Sequence, residues 1–225
     1  MNPEHSSPYF VAFIDLLGFS DMVKKDLEAP LGTQKYMDKL YRIHKKTLEL
    51  NKSTLDLQLV QFSDSIVLAT KFDKSNFPLF LNIISEYQYN LLQEGILVRG
   101  GITYGKHFYN DGFMYSLGLI EAYHLESKVA RFPRIIVSKD LIELLYEDQM
   151  NLSDLGLLQE YDGHYFVDYL ENGNNETMEN LLGFIVEGAK FNNTSVREKY
   201  VWLLDYSHFK FPEIPISNQR FISNY

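Results

Sequence analysis

The chain of 225 residues contains no cysteine, and its positive charges are outnumbered by negative ones. Without cysteine it has no disulfide framework, no thiolate metal site and no cysteine nucleophile. Lys and Arg total 21 against 30 Asp and Glu, and the resulting net charge of −9 argues against general affinity for DNA or RNA. An acidic protein of this kind that handles nucleotides would have to concentrate its cations locally and use bound metal.

Long apolar segments are also missing. No apolar run approaches the roughly 18 residues that a membrane-spanning helix needs, and residues 1–8 lack the basic and apolar segments of a signal peptide. We therefore expect a cytoplasmic protein that binds neither membrane nor nucleic acid. Aromatic residues, by contrast, reach 15%, enough to fill a core and to line an interface or a base-stacking pocket.

Apolar periodicity predicts alternating strands and helices. The predicted strands are residues 9–16, 55–62, 65–71, 97–104 and 134–137, and the predicted helices are residues 31–50, 76–93, 117–130 and 139–146. This order favours an α/β (α+β) sandwich of the ferredoxin-like kind, with a mostly antiparallel sheet and helices on one face. Residues 151–163 are expected to form a loop and residues 164–170 an edge strand.

A polar turn cluster at residues 171–176 is the best internal boundary. We expect residues 1–170 to form the main domain and residues 171–225 to form a C-terminal extension packed on it. The extension is predicted to contain two helices, at residues 178–190 and 196–209. It is also a candidate for part of a dimer surface.

Two carboxylates stand at the ends of strand-like segments. Asp15 follows an apolar run and precedes Gly18, and Asp64 lies in the turn of the predicted hairpin. If the hairpin lies beside the first strand, the two aspartates become neighbours. Mg²⁺ usually takes only one or two protein carboxylates and leaves positions for water and phosphate. The pair therefore predicts a two-metal site with the Leu16 carbonyl as a further ligand, although each aspartate alone is more simply a strand-end or turn residue.

Arginine and glycine together mark the strand at residues 97–104. Arg99 precedes Gly100 and Gly101, and its planar fork of donors suits a phosphate contact. Glycines inside a strand are expected where something approaches the backbone closely. Farther along, four cationic or titratable side chains fall within one short segment: His124, Lys128, Arg131 and Arg134. A solvated helix face explains this grouping equally well.

These segments, in this order, resemble the class III nucleotidyl cyclases over residues 9–140. FIDLLGF at residues 13–19 is similar to the family's first metal strand, and Ser63-Asp64 to its hairpin turn. RGGITYG at residues 99–105 and AYHLE at residues 122–126 are similar to the family's R-x-G-I-x-x-G strand and A-x-R-L-E helix. The resemblance implies two Mg²⁺ or Mn²⁺ ions held by Asp15, the Leu16 carbonyl and Asp64. It also implies a homodimer with its sites between the subunits.

The resemblance also implies how substrate is bound. Arg99 would bind developing negative charge together with His124 or Arg131, and Phe13 and Val60 would belong to the substrate-binding set. Val60 stands where purine cyclases have a base-reading lysine. His124 and Ile120 stand where that family has a transition-state arginine and its asparagine partner, and the family's late lysine has no clear match.

These departures argue against a standard adenylate or guanylate cyclase. The segments FSDS, RGGI and FPRI, together with the AYHLE helix, resemble the Pycsar branch of bacterial pyrimidine cyclases. Those enzymes make cyclic UMP or cyclic CMP as an anti-phage signal for a separate effector. The resemblance implies a lyase that converts UTP to cyclic UMP and pyrophosphate. The alternatives are a cytidylate cyclase acting on CTP, a degenerate homologue that binds nucleotide without turnover, and another palm-like nucleotidyltransferase.

Overall fold

The computed structural model describes residues 7–51, 55–146 and 152–215. Its strands are β1 (Ser7–Leu16), β2 (Gln58–Phe62), β3 (Ser65–Lys71), β4 (Val98–Asn110), β5 (Phe113–Ser116), β6 (Ile135–Val137), β7 (Leu157–Gln159) and β8 (Tyr165–Val167). Its α-helices are α1 (Phe19–Glu28), α2 (Tyr36–Asn51), α3 (Phe77–Gln93), α4 (Leu117–Val129), α5 (Lys139–Leu145), α6 (Asn175–Gly188) and α7 (Thr194–Lys210).

The strands form one sheet in the order β2-β3-β1-β4-β6-β8-β7, with β5 paired to β4 outside that path. Among the strands that the structure describes, β4 and β6 are parallel and every other pair is antiparallel. The predicted fold class, a mixed α/β arrangement on a mostly antiparallel sheet, is confirmed. Because β1 lies between β3 and β4, residues at its end meet both neighbours.

The main core lies between the sheet and a helical layer on one face. Phe10 of β1 packs against Phe77 and Phe80 of α3, with ring centroids 4.9 and 6.1 Å apart. All three side chains are fully buried, and burying each contributes about 1.5–3 kcal/mol. The alternation of β1 places Ala12 and Ile14 in the same apolar cluster.

Helix α4 crosses the opposite face of the sheet, which corrects the expectation that the helices lie on one face only. Its Ala122 packs with Val11 of β1 in a separate apolar cluster. The helix comes unusually close to β4: a Cβ on Gly101 would lie 2.6 Å from the carbonyl oxygen of Ala122, and one on Gly105 would lie 2.8 Å from the amide nitrogen of Gly118. The strand glycines are therefore required by a helix packed directly on the backbone.

Three elements differ from the sequence expectation. Helix α1 occupies residues for which no element was predicted, and Asp26 on it accepts hydrogen bonds from the backbone amides of Lys35, Tyr36 and Met37 at the start of α2 (3.0, 3.0 and 2.8 Å). Strand β4 continues past its predicted end and returns as β5 through Asp111 and Gly112, both at positive φ. Strand β7 lies where a loop was predicted.

Helices α6 and α7 pack on each other and on the body of the chain. Their apolar side chains join a cluster with Tyr89 and Leu92 of α3 and Phe166 of β8. Asp168, after β8, accepts hydrogen bonds from the Tyr206 hydroxyl at 2.5 Å and from Lys210 Nζ at 2.7 Å, which ties α7 to the sheet. Residues 216–225 of the predicted extension lie outside the described residues, and its boundary at residue 170 stays a prediction.

Across the three described ranges, no helix combines the length and apolar character that crossing a bilayer requires.

Candidate functional site

Asp15 and Asp64 lie at the same end of the sheet. Asp15 is opposite Ser65 in the antiparallel pair of β1 and β3, and Asp64 immediately precedes Ser65 in the chain. The Leu16 amide donates a hydrogen bond to the Asp64 carbonyl at 2.8 Å. Ser63 turns the hairpin in the left-handed region, with φ of 55°, where non-glycine residues are uncommon. The β1–β3 pairing thus joins two carboxylate-bearing residues that are far apart in sequence.

Arg99 completes this end of the sheet from the other side of β1. It lies opposite Asp15 in the pairing of β1 and β4, and its Nε is 3.1 Å from Asp15 Oδ2. The same Nε is 2.7 Å from Oε1 of Glu126, which comes from α4. The guanidinium is therefore held between a strand carboxylate and a helix carboxylate, while its side chain remains partly exposed.

Glu126 is a site residue that the sequence reasoning did not single out. Its side chain is only 3% exposed, and burial raises its pKa to about 7. Arg99 acts in the opposite direction, while the charges of Asp15 and Asp64 raise the pKa further. Three carboxylates therefore share one neighbourhood with one arginine, an excess of negative charge that a divalent cation would offset.

The donor set fits a hard divalent cation that is shared with a substrate. Asp15, Asp64 and the Leu16 carbonyl supply only oxygen, the ligand that Mg²⁺ prefers. Across the described part of the chain, no group of three or more His, Asp or Glu side chains is arranged as a closed metal cage. Two carboxylates with open positions are instead what Mg²⁺ uses when phosphates and water complete its shell.

Phe13 and Val60 lie in one row across three strands. Val60 of β2 is opposite Val67 of β3, which is opposite Phe13 of β1. Phe13 is buried and meets the ring of Tyr123 on α4 edge to face at 5.4 Å, whereas Val60 is half-buried. The row lies two residues along β1 from Asp15. Both residues are therefore near the aspartates along the strand without belonging to their ion-pair network.

The four cationic or titratable side chains noted in the sequence at residues 124–134 do not lie together in the structure. His124 lines a depression of about 390 Å³ with Lys128, Thr103 and Asp140. Arg134 is fully buried and forms ion pairs with carboxylates of the β7–β8 connection, Glu160 and Asp162. Arg131 is exposed. Within one chain, the aspartate end of the sheet therefore holds Arg99, while His124 lines a separate depression.

A larger cleft lies beside Arg131. It has a volume of about 700 Å³ and runs between α7 and the β7–β8 hairpin. Its wall includes Phe132 and Trp202, whose rings stack at 5.8 Å with an interplanar angle of 5°. The Trp202 Nε1 donates a hydrogen bond at 2.9 Å to Glu160, the same carboxylate that pairs with Arg134. No motif in the sequence pointed to this cleft.

No family model matches the chain, and no curated protein sequence matches it either. Solved structures do match. A Trypanosoma brucei adenylate cyclase in its monomeric state aligns with a TM-score of 0.52 and 13% identity, covering 77% of this chain and 94% of that one. The monomeric guanylyl cyclase domain of the RhoGC fusion protein from the fungus Blastocladiella emersonii aligns with a TM-score of 0.50 and 14% identity, covering 72% and 95%. At these identities the similarity shows the fold, which is that of class III nucleotidyl cyclases.

Proposed function

We propose that this protein is a nucleotidyl cyclase that converts UTP to cyclic UMP and pyrophosphate. The observation that carries the proposal is the meeting of Asp15, Asp64 and Arg99 at one end of a sheet with the class III cyclase fold. In the reaction, the 3′-oxygen forms a bond to the α-phosphorus, the bond from that phosphorus to the β-phosphate bridging oxygen breaks, and the 3′-hydroxyl loses its proton. The product is a cyclic diester and the leaving group is pyrophosphate.

Asp15, Asp64 and the Leu16 carbonyl would hold two Mg²⁺ or Mn²⁺ ions. Bound there, such ions acidify an attacking hydroxyl and neutralise charge on a triphosphate. Asp15 lies on β1 and Asp64 in the turn that leads into β3, and the β1–β3 pairing with the Leu16–Asp64 hydrogen bond fixes both backbones before substrate arrives. Preorganisation of this kind lowers the reorganisation cost of the reaction.

Arg99 would bind the phosphates, because its guanidinium keeps unused donors. The pairs with Asp15 and Glu126 both involve Nε, which leaves the two terminal nitrogens for oxygen atoms of the substrate. Glu126 would orient the guanidinium from behind, since it is buried whereas Arg99 is partly exposed. Arg131, which is exposed and makes no ion pair with a described residue, is a further phosphate-binding candidate.

A second copy of the chain would complete each site. The outer face of α4 exposes Leu117, Ile120 and Tyr123 at 50–55%, and the neighbouring hairpin exposes Phe113 and Tyr115 at 63% and 74%. Adjacent apolar side chains of this size are typical of a protein–protein interface. A symmetric homodimer through this face would bring His124 of one subunit toward the metal carboxylates of its partner, with two equivalent sites.

The choice of a pyrimidine rests on what is absent from β2. Val60 offers the base no hydrogen bond, and together with Phe13 and Val67 it makes an apolar row beside the carboxylates. CTP is the alternative substrate, with cyclic CMP as the product. As a pyrimidine cyclase of the Pycsar kind, the protein would act in the bacterial cytoplasm, and its product would be an anti-phage signal for a separate effector.

Incubation of the purified protein with Mn²⁺ and each of the four ribonucleoside triphosphates, followed by mass spectrometry, tests the proposal. We expect cyclic UMP from UTP alone. The Asp64→Asn variant should lower the rate by roughly 100-fold or more, because it removes a metal ligand while keeping the size of the side chain. Asp56→Asn is the matched control, since Asp56 is exposed and its ion pair with Lys71, at 3.3 Å, is a surface one.

Each other product contradicts a different part of the proposal. Formation of cyclic CMP would show that the substrate is CTP rather than UTP. Formation of a linear or transferred nucleotide product would show that the reaction is not a cyclisation. Binding without any product would favour a degenerate homologue, a candidate suggested by His124 and Ile120 standing where the family has its transition-state arginine and asparagine.

A further inference from the structure

Helix α7 carries apolar side chains on two faces. Leu203 and Leu204 are buried in the cluster that α7 shares with α6. Val201, Trp202 and Phe209 instead line the cleft of about 700 Å³ between α7 and the β7–β8 hairpin. A helix that packs on a protein body from one side needs only one apolar face. The second apolar face of α7 therefore serves as a wall of the cleft.

The aromatic wall of the cleft is held in place from behind. Trp202 stacks on Phe132 and donates a hydrogen bond to Glu160 at 2.9 Å. Glu160 in turn pairs with the fully buried Arg134, which balances its charge and also pairs with Asp162. A stacking surface fixed in this way loses little conformational freedom when a planar ligand binds. The volume of the cleft also lies within the range of roughly 300–1,000 Å³ that is typical of small-molecule sites.

Charged side chains of both signs border this aromatic wall. The lining includes two arginines and two carboxylates that form no ion pair with any described residue: Arg131, Arg197, Glu198 and Asp205. Arginine suits a phosphate oxygen, and a carboxylate accepts hydrogen bonds from hydroxyl groups. Because the two signs are balanced, the cleft favours a ligand with one negative charge over a polyanion such as a triphosphate.

We propose that this cleft binds a cyclic mononucleotide. Such a molecule combines a planar base, a single diester charge and a free ribose hydroxyl. The base would stack on the Trp202 side of the cleft, and the phosphodiester would bind Arg197 and Arg131. The ribose hydroxyl would donate a hydrogen bond to Glu198 or Asp205.

The cleft is largely separate from the proposed active site. Of the residues assigned to that site, only Arg131 lines the cleft, whereas Asp15, Asp64 and Arg99 do not. The inference rests on the proposed function for the identity of the ligand, which would be the enzyme's own product. The aromatic wall and the balanced charges do not depend on that function.

Fluorescence of Trp202 tests the inference without turnover. Trp202 is the only tryptophan of the chain, so excitation at wavelengths that tyrosine does not absorb reports on the cleft alone. Titration of the full chain with cyclic UMP, in buffer without divalent metal, should change this emission to saturation. Arg197→Gln should weaken the binding about tenfold, because a charged hydrogen bond to the diester is lost. UTP should bind at least about tenfold more weakly than cyclic UMP, because the carboxylates repel its additional charges.

Two further arginine variants are the controls. Arg99→Gln removes the cation of the proposed active site and should leave the Trp202 response to cyclic UMP unchanged. Arg42→Gln removes an exposed arginine of α2 that does not line the cleft and should behave like wild type. Thermal unfolding of each variant shows that the fold is retained, which we expect for Arg197→Gln because Arg197 is exposed.

No change in Trp202 emission at millimolar cyclic UMP would overturn the inference. Binding that is lost in Arg99→Gln and kept in Arg197→Gln would do the same, because it would place the nucleotide in the active site. Emission that depends on protein concentration and on no nucleotide would also overturn it, by showing that a second copy of the chain covers the cleft. Binding of cyclic UMP that depends on Arg197, in a chain that makes no cyclic nucleotide, would support the inference and contradict the proposed function instead.

Discussion

At the scale of single residues, the Arg99 guanidinium forms ion pairs with two carboxylates at once. Its Nε contacts both Asp15 and Glu126, so the charge of Asp15 is partly balanced even without metal. If a cation bound Asp15 as proposed, the arginine could turn its terminal nitrogens toward a phosphate while Glu126 still contacted Nε. The buried glutamate would then keep the arginine at the site with and without metal.

Glu126 gives the first pH-dependent prediction. Its pKa is raised from 4.5 to about 7, so the folded chain binds this proton more tightly than the unfolded chain. The contribution of Glu126 to the free energy of unfolding is therefore present below about pH 4.5 and falls as the pH rises toward 7. In metal-free buffer, the Tm of Glu126→Gln minus that of wild type should increase between pH 5 and pH 8.

Circular dichroism melts at four pH values in that range measure this difference. Glu179→Gln, which removes a charge from the exposed side of α6, is the control. A difference in Tm that stays constant with pH for Glu126→Gln would show that Glu126 is ionised in the folded chain throughout the range.

The sequence allowed Asp15 and Asp64 to be placed together, because a strand end and a hairpin turn have a defined register. Arg99 was added by the family resemblance. The sequence did not reveal Glu126. This residue lies on a helix whose local pattern resembles a solvated face, and its surroundings come from strands distant in the chain. Burial of a charge is decided by those tertiary contacts and leaves no mark on the local pattern. The roles of these four residues stay predictions.

At the scale of elements, the contact between α4 and β4 depends on the absence of side chains. Gly101→Ala would place a methyl group 2.6 Å from the Ala122 carbonyl and 2.9 Å from Leu125 Cβ, too close for either to remain in place. We expect a loss of about 1–3 kcal/mol in the free energy of unfolding, measured by urea denaturation. Cyclase activity should fall as well, because α4 carries Glu126.

Gly183→Ala is the matched control for this substitution. Gly183 is exposed within α6, and a Cβ there meets nothing within 4 Å. Alanine inside a helix should stabilise the chain by about 0.5–1 kcal/mol. Equal stability of Gly101→Ala and wild type would mean that α4 can shift away from the sheet without cost.

The elements that sequence periodicity missed are explained by their packing. Helix α1 is ten residues long and buries only Met22 and Asp26, so it is shorter than the window of about 11–18 residues over which helical periodicity is judged. The β4–β5 turn at Asp111-Gly112 carries a recognisable hairpin signal, but β5 is only four residues long and exposes the aromatic side chains Phe113 and Tyr115. The long, buried α3 was by contrast predicted to begin at residue 76, and it begins at Phe77.

For the whole molecule, the proposed dimer predicts that damaged subunits restore each other. Asp64→Asn removes a metal ligand from one side of the interface, and His124→Ala removes the group expected from the other. Each homodimer should be nearly inactive. In a mixed dimer one site carries both changes and the other carries neither, so an equimolar mixture should recover about a quarter of the wild-type activity.

Cyclic nucleotide production by the separate and mixed proteins measures this recovery. Size-exclusion chromatography with light scattering confirms that the species are dimers. A mixture no more active than its components would contradict a shared site, and full activity of His124→Ala alone would exclude a role for His124.

Helix α4 has one face on the strands beside Asp15 and another that exposes Ile120 and Tyr123. In the proposed dimer, α4 would contact the active site of its own subunit through Glu126 and the partner subunit through its outer face. A shift of α4 when substrate binds one active site would change the substrate affinity of the other site. By linkage, binding at the second site would change the affinity of the first by the same factor. Substrate saturation would then deviate from a hyperbola, a cooperativity that originates in a single helix.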